Sequence, residues 1–332
     1  MKNFVLIGAA GYVAPRHMRA IKETGNNLVA ALDKNDSVGI IDSYFPEAAF
    51  FTEFERFDRH VSKLIRNGIK IDYVAVCSPN YLHDAHIRFG LRIGADVICE
   101  KPLVLNPWNV KALQDIERET GNRVNTILQL RLHPALLELK REVEQAPPDH
   151  VFDIDLTYIT SRGNWYYTSW KGDEGKSGGI ATNIGIHFFD MLTWIFGDIR
   201  ENEIHIHTHD RGAGFMALER ANVRWFLSIN YETIPDAIKA TGARTFRSIT
   251  VDGKEVEFSN GFNDLHTLSY KDILEGQGFG LQTAANAIQI VHDIRNGKPA
   301  GLRGTYHPFA ELPLRPHPFK EDPMMEYALQ DK

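Results

Sequence analysis

Three features predict an α/β protein in two parts: strands alternating strictly with helices up to residue 148, a small-residue turn after the first strand, and period-two strands beyond Pro147-Pro148. Residues 1–148 read as a doubly wound parallel sheet of the dinucleotide-binding Rossmann type. Residues 149–332 read as an α+β domain for substrate binding and oligomerisation, with an open, mainly antiparallel sheet. A chain of 332 residues, 43% of them hydrophobic, is long enough to fill two cores.

Phe4 to Ile7 form the first apolar strand, and Gly8-Ala-Ala-Gly11-Tyr-Val-Ala14 leads into a helix carrying Met18 and Ile21. Small residues there let the backbone approach a pyrophosphate lying on the helix amino end, with its free N–H groups and positive dipole. Ala10 and Val13 occupy the second and third glycine positions of GxGxxG, so Gly8, Gly11 and Ala14 fit a GxxGxxA spacing better. Gly8, Ala10, Gly11, Tyr12 and Val13 are the expected cofactor-binding turn. The second strand, Leu28 to Leu32, ends at Asp33. An acid there accepts hydrogen bonds from the adenosine ribose and repels a 2′-phosphate, so NAD rather than NADP is the expected cofactor.

The alternation continues with Phe50-Phe51, a helix from Glu53 to Asn67, the strand Ile71 to Cys77 and a helix carrying His83 and His86. Then come the strand Ala95 to Cys99, a helix from Pro107 to Thr120 and the strand Val124 to Leu130. Ligands bind at carboxyl ends of parallel strands. Ser78, Asn80, His83, Glu100, Lys101 and Gln129 are therefore expected around the cofactor. Pro102 has no N–H for a ladder, so the Ala95 strand must stop at Lys101. A lysine at that place is a natural proton handler; alone, it reads equally well as a solvated turn residue.

Beyond Pro147-Pro148, the segments Val151–Thr160, Glu203–Asp210, Gly214–Arg220, Asn222–Tyr231, Arg244–Asp252 and Glu255–Ser259 alternate as antiparallel strands do. Helices are expected over 182–196 and 281–296, an extended arm over Pro308 to Pro318, and a surface tail after Phe319. His205, His207 and His209 share one strand face at period two. No acid or cysteine with ligand spacing accompanies them, so a polar face is expected and no metal. The helix after Ser177-Gly178-Gly179 is apolar nearly all round, capped by Thr182, yet carries Asn183, His187 and Asp190 at i, i+4 and i+7. A buried polar stripe is either a satisfied network or the wall of a site; beside a nicotinamide site the second is expected.

The formal charge of −6 excludes a global basic field for nucleic acid, and there is no polybasic membrane patch. Cys77 and Cys99 suit reduced core residues of a cytoplasmic protein. Gly8 to Gly11 interrupt the amino-terminal apolar run too early for a signal peptide, and no run reaches transmembrane length.

Glu100-Lys101-Pro102, together with Gly178-Gly179 leading to Asn183 and His187, resembles the glucose–fructose oxidoreductase and inositol dehydrogenase family (Gfo/Idh/MocA) across both parts of the chain. Arg162-Gly-Asn-Trp-Tyr-Tyr-Thr-Ser-Trp-Lys171 and the following Gly178 to His187 are similar to the UDP-N-acetyl-2-amino-2-deoxyglucuronate (UDP-GlcNAcA) dehydrogenases of bacterial surface-polysaccharide (O-antigen) assembly. The resemblance implies oxidation of a sugar C3 hydroxyl with NAD, a homotetramer packed through its open sheets, and in some relatives recycling of NADH with 2-oxoglutarate. Many relatives carry Asp where this chain has Asn183. One positioned base suffices for alcohol oxidation. The expected base is His187, with Lys101 stabilising alkoxide character; the reverse assignment is the alternative. Trp165, Tyr166, Tyr167 and Trp170 are expected as walls, and Arg131, Arg162 and Lys171 as ligands of carboxylate or diphosphate. Two other readings compete: a dehydrogenase of a free polyol or sugar, and a NAD-binding regulator without chemistry.

Overall fold

The computed structural model describes residues 1–258 and 264–319. The chain divides into two compact units, Met1–Glu138 with Asn260–Gln289 and Leu139–Ser259 with Ile290–Lys332. The division falls after Glu138 rather than residue 148, and a late segment returns to the first unit. A pattern read in chain order carries no signal for such a return.

The first unit begins β1 (Asn3–Ile7), α1 (Ala14–Glu23), β2 (Asn27–Leu32), β3 (Ala49–Phe51), α2 (Phe54–Arg66) and β4 (Tyr73–Val76). It continues with α3 (His83–Arg92), β5 (Asp96–Cys99), α4 (Pro107–Thr120) and β6 (Val124–Thr126). All six strands pair in parallel in the order β3-β2-β1-β4-β5-β6. β4 is buried along its whole length, as are Phe4 to Ile7 of β1 and Val97 to Cys99 of β5, which is why these strands read as continuous apolar runs. The order reverses beside β1, so the crevice at the carboxyl ends of β1 and β4 is the topological switch point. β6 stops short of the expected Leu130; residues 129–132 form a 3₁₀ turn ahead of α5 (Pro134–Gln145).

The second unit contains β7 (Phe152–Thr160), the short helices α6 (Trp165–Thr168) and α7 (Glu174–Ser177), then α8 (Ile186–Phe196). β8 (Ile199–His207), β9 (Arg211–Leu218), β10 (Ala221–Ser228), α9 (Asp236–Lys239), β11 (Thr245–Val251) and β12 (Lys254–Glu255) follow. The sheet runs β12-β11-β7-β10-β9-β8, antiparallel throughout except for the parallel β7–β10 pair. α8 packs on the face carrying Tyr158 and Trp225, with ring centres 4.9 Å apart for Phe188–Tyr158 and 5.4 Å for Phe189–Trp225. On the opposite face Tyr306, Phe309 and Ala310 of the C-terminal arm pack with Ile159, Ala213 and Phe226, and Arg224 pairs with Asp153 and Asp155 farther along. The arm turns through a 3₁₀ segment, Pro308–Glu311. Ser259 and the tail after Phe319 lie outside the described residues.

The returning segment supplies α10 (Leu265–Leu274) and the start of α11 (Leu281–Asn296). α10 lies on α1, and its Tyr270 ring stacks 5.9 Å from Phe4 of β1.

Candidate active site

The turn between β1 and α1 is built for close backbone approach. Gly8 has φ +95°, and a Cβ on it would sit 2.5 Å from both the Cys77 carbonyl carbon and the Ser78 nitrogen, so only glycine fits. Its amide donates to Leu32 O at 2.8 Å, and the Ala10 amide donates to Asp33 Oδ2 at 2.9 Å. Asp33 Oδ1 accepts the Asn35 amide at 2.9 Å, so the acid stands fixed at the end of β2. No side chain caps α1; Pro15 in its first turn has no N–H, and the Ala14 and Arg16 amides turn back onto Gly11 O at 3.1 Å and Val13 O at 3.0 Å. Tyr12 is exposed there, with the Arg16 guanidinium 5.8 Å from its ring centre.

Lys101 is half-buried at the end of β5, joined to Pro102 by a cis bond. Ser78 Oγ pairs with His86 Nδ1 at 2.8 Å, and Asn80 is buried nearby in sequence. His83 is buried, with Nε2 2.8 Å from Ser78 O and Nδ1 2.7 Å from Pro102 O, so both nitrogens are spent tying two strand-end loops together. Glu100 is also buried, and its carboxylate faces His17, His266 and the Lys101 amide. Gln129 has a buried Oε1 with no partner among the described residues, the condition of an acceptor awaiting a ligand donor. Arg131 is half-buried over the Phe279 ring at 5.4 Å.

In the second unit, Gly178 and Gly179 both have positive φ and lead into a π turn, Ala181–Gly185, before α8. Thr182 therefore caps nothing; it is fully buried inside the π turn. Gly185 permits the close approach, since a Cβ would meet Leu227 Cδ1 at 2.5 Å. The extra residue of a π turn breaks the expected stripe: Asn183 and His187 remain half-buried, while Asp190 is interior. Asn183 Nδ2 donates to Tyr166 Oη at 3.1 Å. Tyr166 is 2% exposed, so its ring belongs to the core and offers only the hydroxyl, whereas Trp165 is 54% exposed. Burial, with Asp210 nearby, pushes the Tyr167 phenol up to about 12.

The Lys171 ammonium lies 5.7 Å and 5.6 Å from the ring centres of Trp165 and Trp170. Burial and the neighbouring Arg162 lower its pKa. Arg162 donates to Ser161 O at 3.3 Å, and neither cation faces a carboxylate among the described residues. Two adjacent cations without an acid among the described residues favour the approach of an anion. The three histidines of the β8 region do not share a face: a bulge interrupts the strand, His205 is buried, His207 meets Glu174 Oε1 at 3.2 Å, and His209 packs against Tyr167 and His317.

Sequence reasoning missed His17, His266 and Tyr270, all buried around Glu100. Nothing local marks them, because their partner lies far away in the chain.

The family model for the oxidoreductase family's NAD-binding Rossmann fold (GFO_IDH_MocA) matches residues 2–127, and that for the family's C-terminal alpha/beta domain matches residues 150–233. The WlbA (WbpB) dehydrogenase of Thermus thermophilus, solved with NAD and α-ketoglutarate and with NAD and UDP-GlcNAcA, is 51% identical, with a TM-score of 0.90 over 93% of this chain and 100% of that one. D-Glucoside 3-dehydrogenase of Escherichia coli is 24% identical over 211 residues, 62% of this chain and 58% of that protein. Inositol 2-dehydrogenase of Rhizobium meliloti is 26% identical over 204 residues, 59% and 55%. The matched stretch thus spans little more than half of these two curated relatives. No helix among the described residues is long and apolar enough to cross a membrane. With its NAD-binding Rossmann domain, its C-terminal mixed-sheet domain and Glu100-Lys101-Pro102 at a strand's carboxyl end, the chain belongs to the Gfo/Idh/MocA oxidoreductase family.

Proposed function

We propose that this protein oxidises the C3 hydroxyl of a UDP-linked N-acetylated sugar acid, UDP-GlcNAcA, to the 3-keto sugar with NAD. The observation that carries the reading is the Arg162–Lys171 pair, adjacent cations with no acid partner among the described residues, Lys171 lying against Trp165 and Trp170. A free polyol has no charge to offer such a pair; a uronate or a diphosphate has. The identity to the Thermus WlbA, whose structure holds UDP-GlcNAcA, supports the same substrate class.

NAD, when bound, supplies the hydride acceptor. Gly8 to Val13 and the α1 amino end hold its diphosphate, Asp33 its adenosine ribose, and the Gln129 oxygen accepts from it. His187 takes the hydroxyl proton, and Lys101 stabilises alkoxide character. Asn183, hydrogen-bonded to Tyr166, keeps the neighbourhood of His187 neutral. The enzyme works in the cytoplasm as a homotetramer, in surface-polysaccharide (O-antigen, lipopolysaccharide) sugar synthesis, and regenerates NAD from NADH with 2-oxoglutarate. The buried free thiols Cys77 and Cys99 suit that reducing compartment.

Turnover and thermal shift with UDP-GlcNAcA, UDP-GlcNAc, inositol and glucose test the reading. UDP-GlcNAcA should give the highest kcat/KM, and Lys171→Met should raise its KM far more than that of an uncharged sugar. Inositol or glucose turning over faster than UDP-GlcNAcA would establish instead the activity of the glucoside and inositol dehydrogenase relatives.

A further inference from the structure

Four buried side chains meet behind Lys101. Glu100 Oε1 lies 2.9 Å from His17 Nε2 and 3.0 Å from His266 Nε2; Oε2 accepts the Lys101 amide at 3.2 Å; and His17 Nδ1 lies 2.8 Å from Tyr270 Oη. His17 and Tyr270 are 0% exposed, His266 4% and Glu100 5%. An oxygen that accepts from two imidazoles requires a proton on both Nε2 atoms. The Tyr270 phenol, donating to Nδ1, fixes that tautomer of His17. Each imidazole thus donates a hydrogen bond to Glu100, which carries the negative charge.

The same three ligand atoms lie within 4.8 Å of one another, which admits a metal. Two atoms ligating one tetrahedral zinc sit about 3.3 Å apart. The observed 2.9 and 3.0 Å are those of hydrogen bonds already made.

We propose that His17, His266 and Tyr270 are positioning residues that hold Glu100 as a buried anion and, through its grip on the Lys101 amide, fix Lys101 for the chemical step. The network joins the helix that begins at the dinucleotide turn, the strand that ends at Lys101, and α10 from the returning segment. Burial opposes the charge on Glu100, and the two imidazole donors outweigh it, holding its carboxyl well below the usual range. Among the other titratable groups facing it, burial raises the Cys77 thiol just after β4, the Cys99 thiol on β5 and the Tyr270 phenol, and lowers His17 and His83. The inference rests on the proposed role of Lys101, but not on which sugar is oxidised.

The test compares His266→Leu, which removes the donor, with His266→Gln, which restores an N–H at similar reach, and Tyr270→Phe, which keeps the ring stacked on Phe4. NAD affinity, melting temperature, kcat and KM are measured with whichever sugar the wild type oxidises best. His266→Leu should lower kcat about tenfold or more through misplacement of the reacting group, with NAD affinity unchanged; His266→Gln should recover most of it, and Tyr270→Phe should fall between. Equal kcat in the Leu and Gln variants, or a lowered melting temperature with kcat intact, overturns the proposal and leaves the network a packing device. Stoichiometric zinc in the purified protein overturns it also. Carbon-13 NMR of glutamate-labelled protein, assigned with Glu100→Gln, needs no turnover: Glu100 should stay ionised in the wild type at pH 4. Protonation there sinks the inference even if the sugar-nucleotide reading stands, whereas an ionised Glu100 in a protein that ignores UDP-GlcNAcA sinks only that reading.

Discussion

Gly8, Asp33 and Asn183 each make a separate demand on the chain. Alanine at position 8 adds a Cβ 2.5 Å from the backbone of Cys77 and Ser78, where no flexible side chain can yield. Gly8→Ala should therefore abolish NAD binding in titrations and cost about 1–3 kcal/mol of stability. Asp33, the proposed ribose acceptor, also holds the Ala10 amide, so Asp33→Ser should relax the preference for NAD over NADP while weakening both. A wild type that binds NADP as tightly as NAD would refute the ribose role. At Asn183 the Tyr166 hydroxyl can rotate to donate to a carboxylate, so Asn183→Asp should keep its melting temperature near that of the wild type. The added charge one turn before His187 favours the imidazolium and raises its pKa. The acidic limb of kcat/KM should then move to higher pH, and a uronate should lose more affinity than its uncharged analogue. An unmoved profile would place Asn183 away from the reacting centre. Lys101 was legible because a proline after it dictates where a strand must stop. The fates of Glu100 and His83 were not, because their partners are backbone carbonyls and histidines that only tertiary folding delivers.

The C-terminal arm is seated on the sheet through a titratable group, His307. His307 donates from Nε2 to Thr157 Oγ1 at 2.9 Å and accepts the Phe309 amide on Nδ1 at 3.1 Å, a pattern that only the neutral ring satisfies. Burial lowers its pKa to about 4, with Asp155 and Arg224 nearby acting in opposite senses. The unfolded chain binds a proton below about 6.5, while the folded chain does so only near 4. The contribution of His307 is therefore complete above that window and is lost as pH falls through it. The melting-temperature difference between wild type and His307→Asn should shrink steadily from pH 7 to pH 4.5; a constant difference would show that His307 does not titrate in this way. Among the elements, α11 was legible to its ends because its apolar spacing is unbroken. α10 was not, since its buried face includes His266, Thr267 and Ser269 and reads as a polar loop. Nor was the π turn, where Gly185 lies close to Leu227, a tertiary neighbour that no local residue pattern announces.

Assembly and folding involve the molecule entire. The second sheet carries, on the face away from α8, Arg224 held by Asp153 at 2.8 Å and Asp155 at 3.0 Å. If the proposed tetramer forms through it, light scattering should show four subunits for the wild type and smaller species for Arg224→Glu, which sets three carboxylates side by side. A monomeric wild type at assay concentration would remove the tetramer. The return of α10 to the dinucleotide unit bears on how the chain is made. His266 follows Glu100 by 166 residues, an interval of about 10–30 s at ordinary rates of translation. Throughout it the emerging nucleotide domain has a buried acid with one imidazole instead of two and an α1 surface without its cover. A gene fragment stopped at residue 148 should accordingly yield an aggregating product, and one that fuses residues 260–289 back onto it through a flexible linker should recover both solubility and NAD binding.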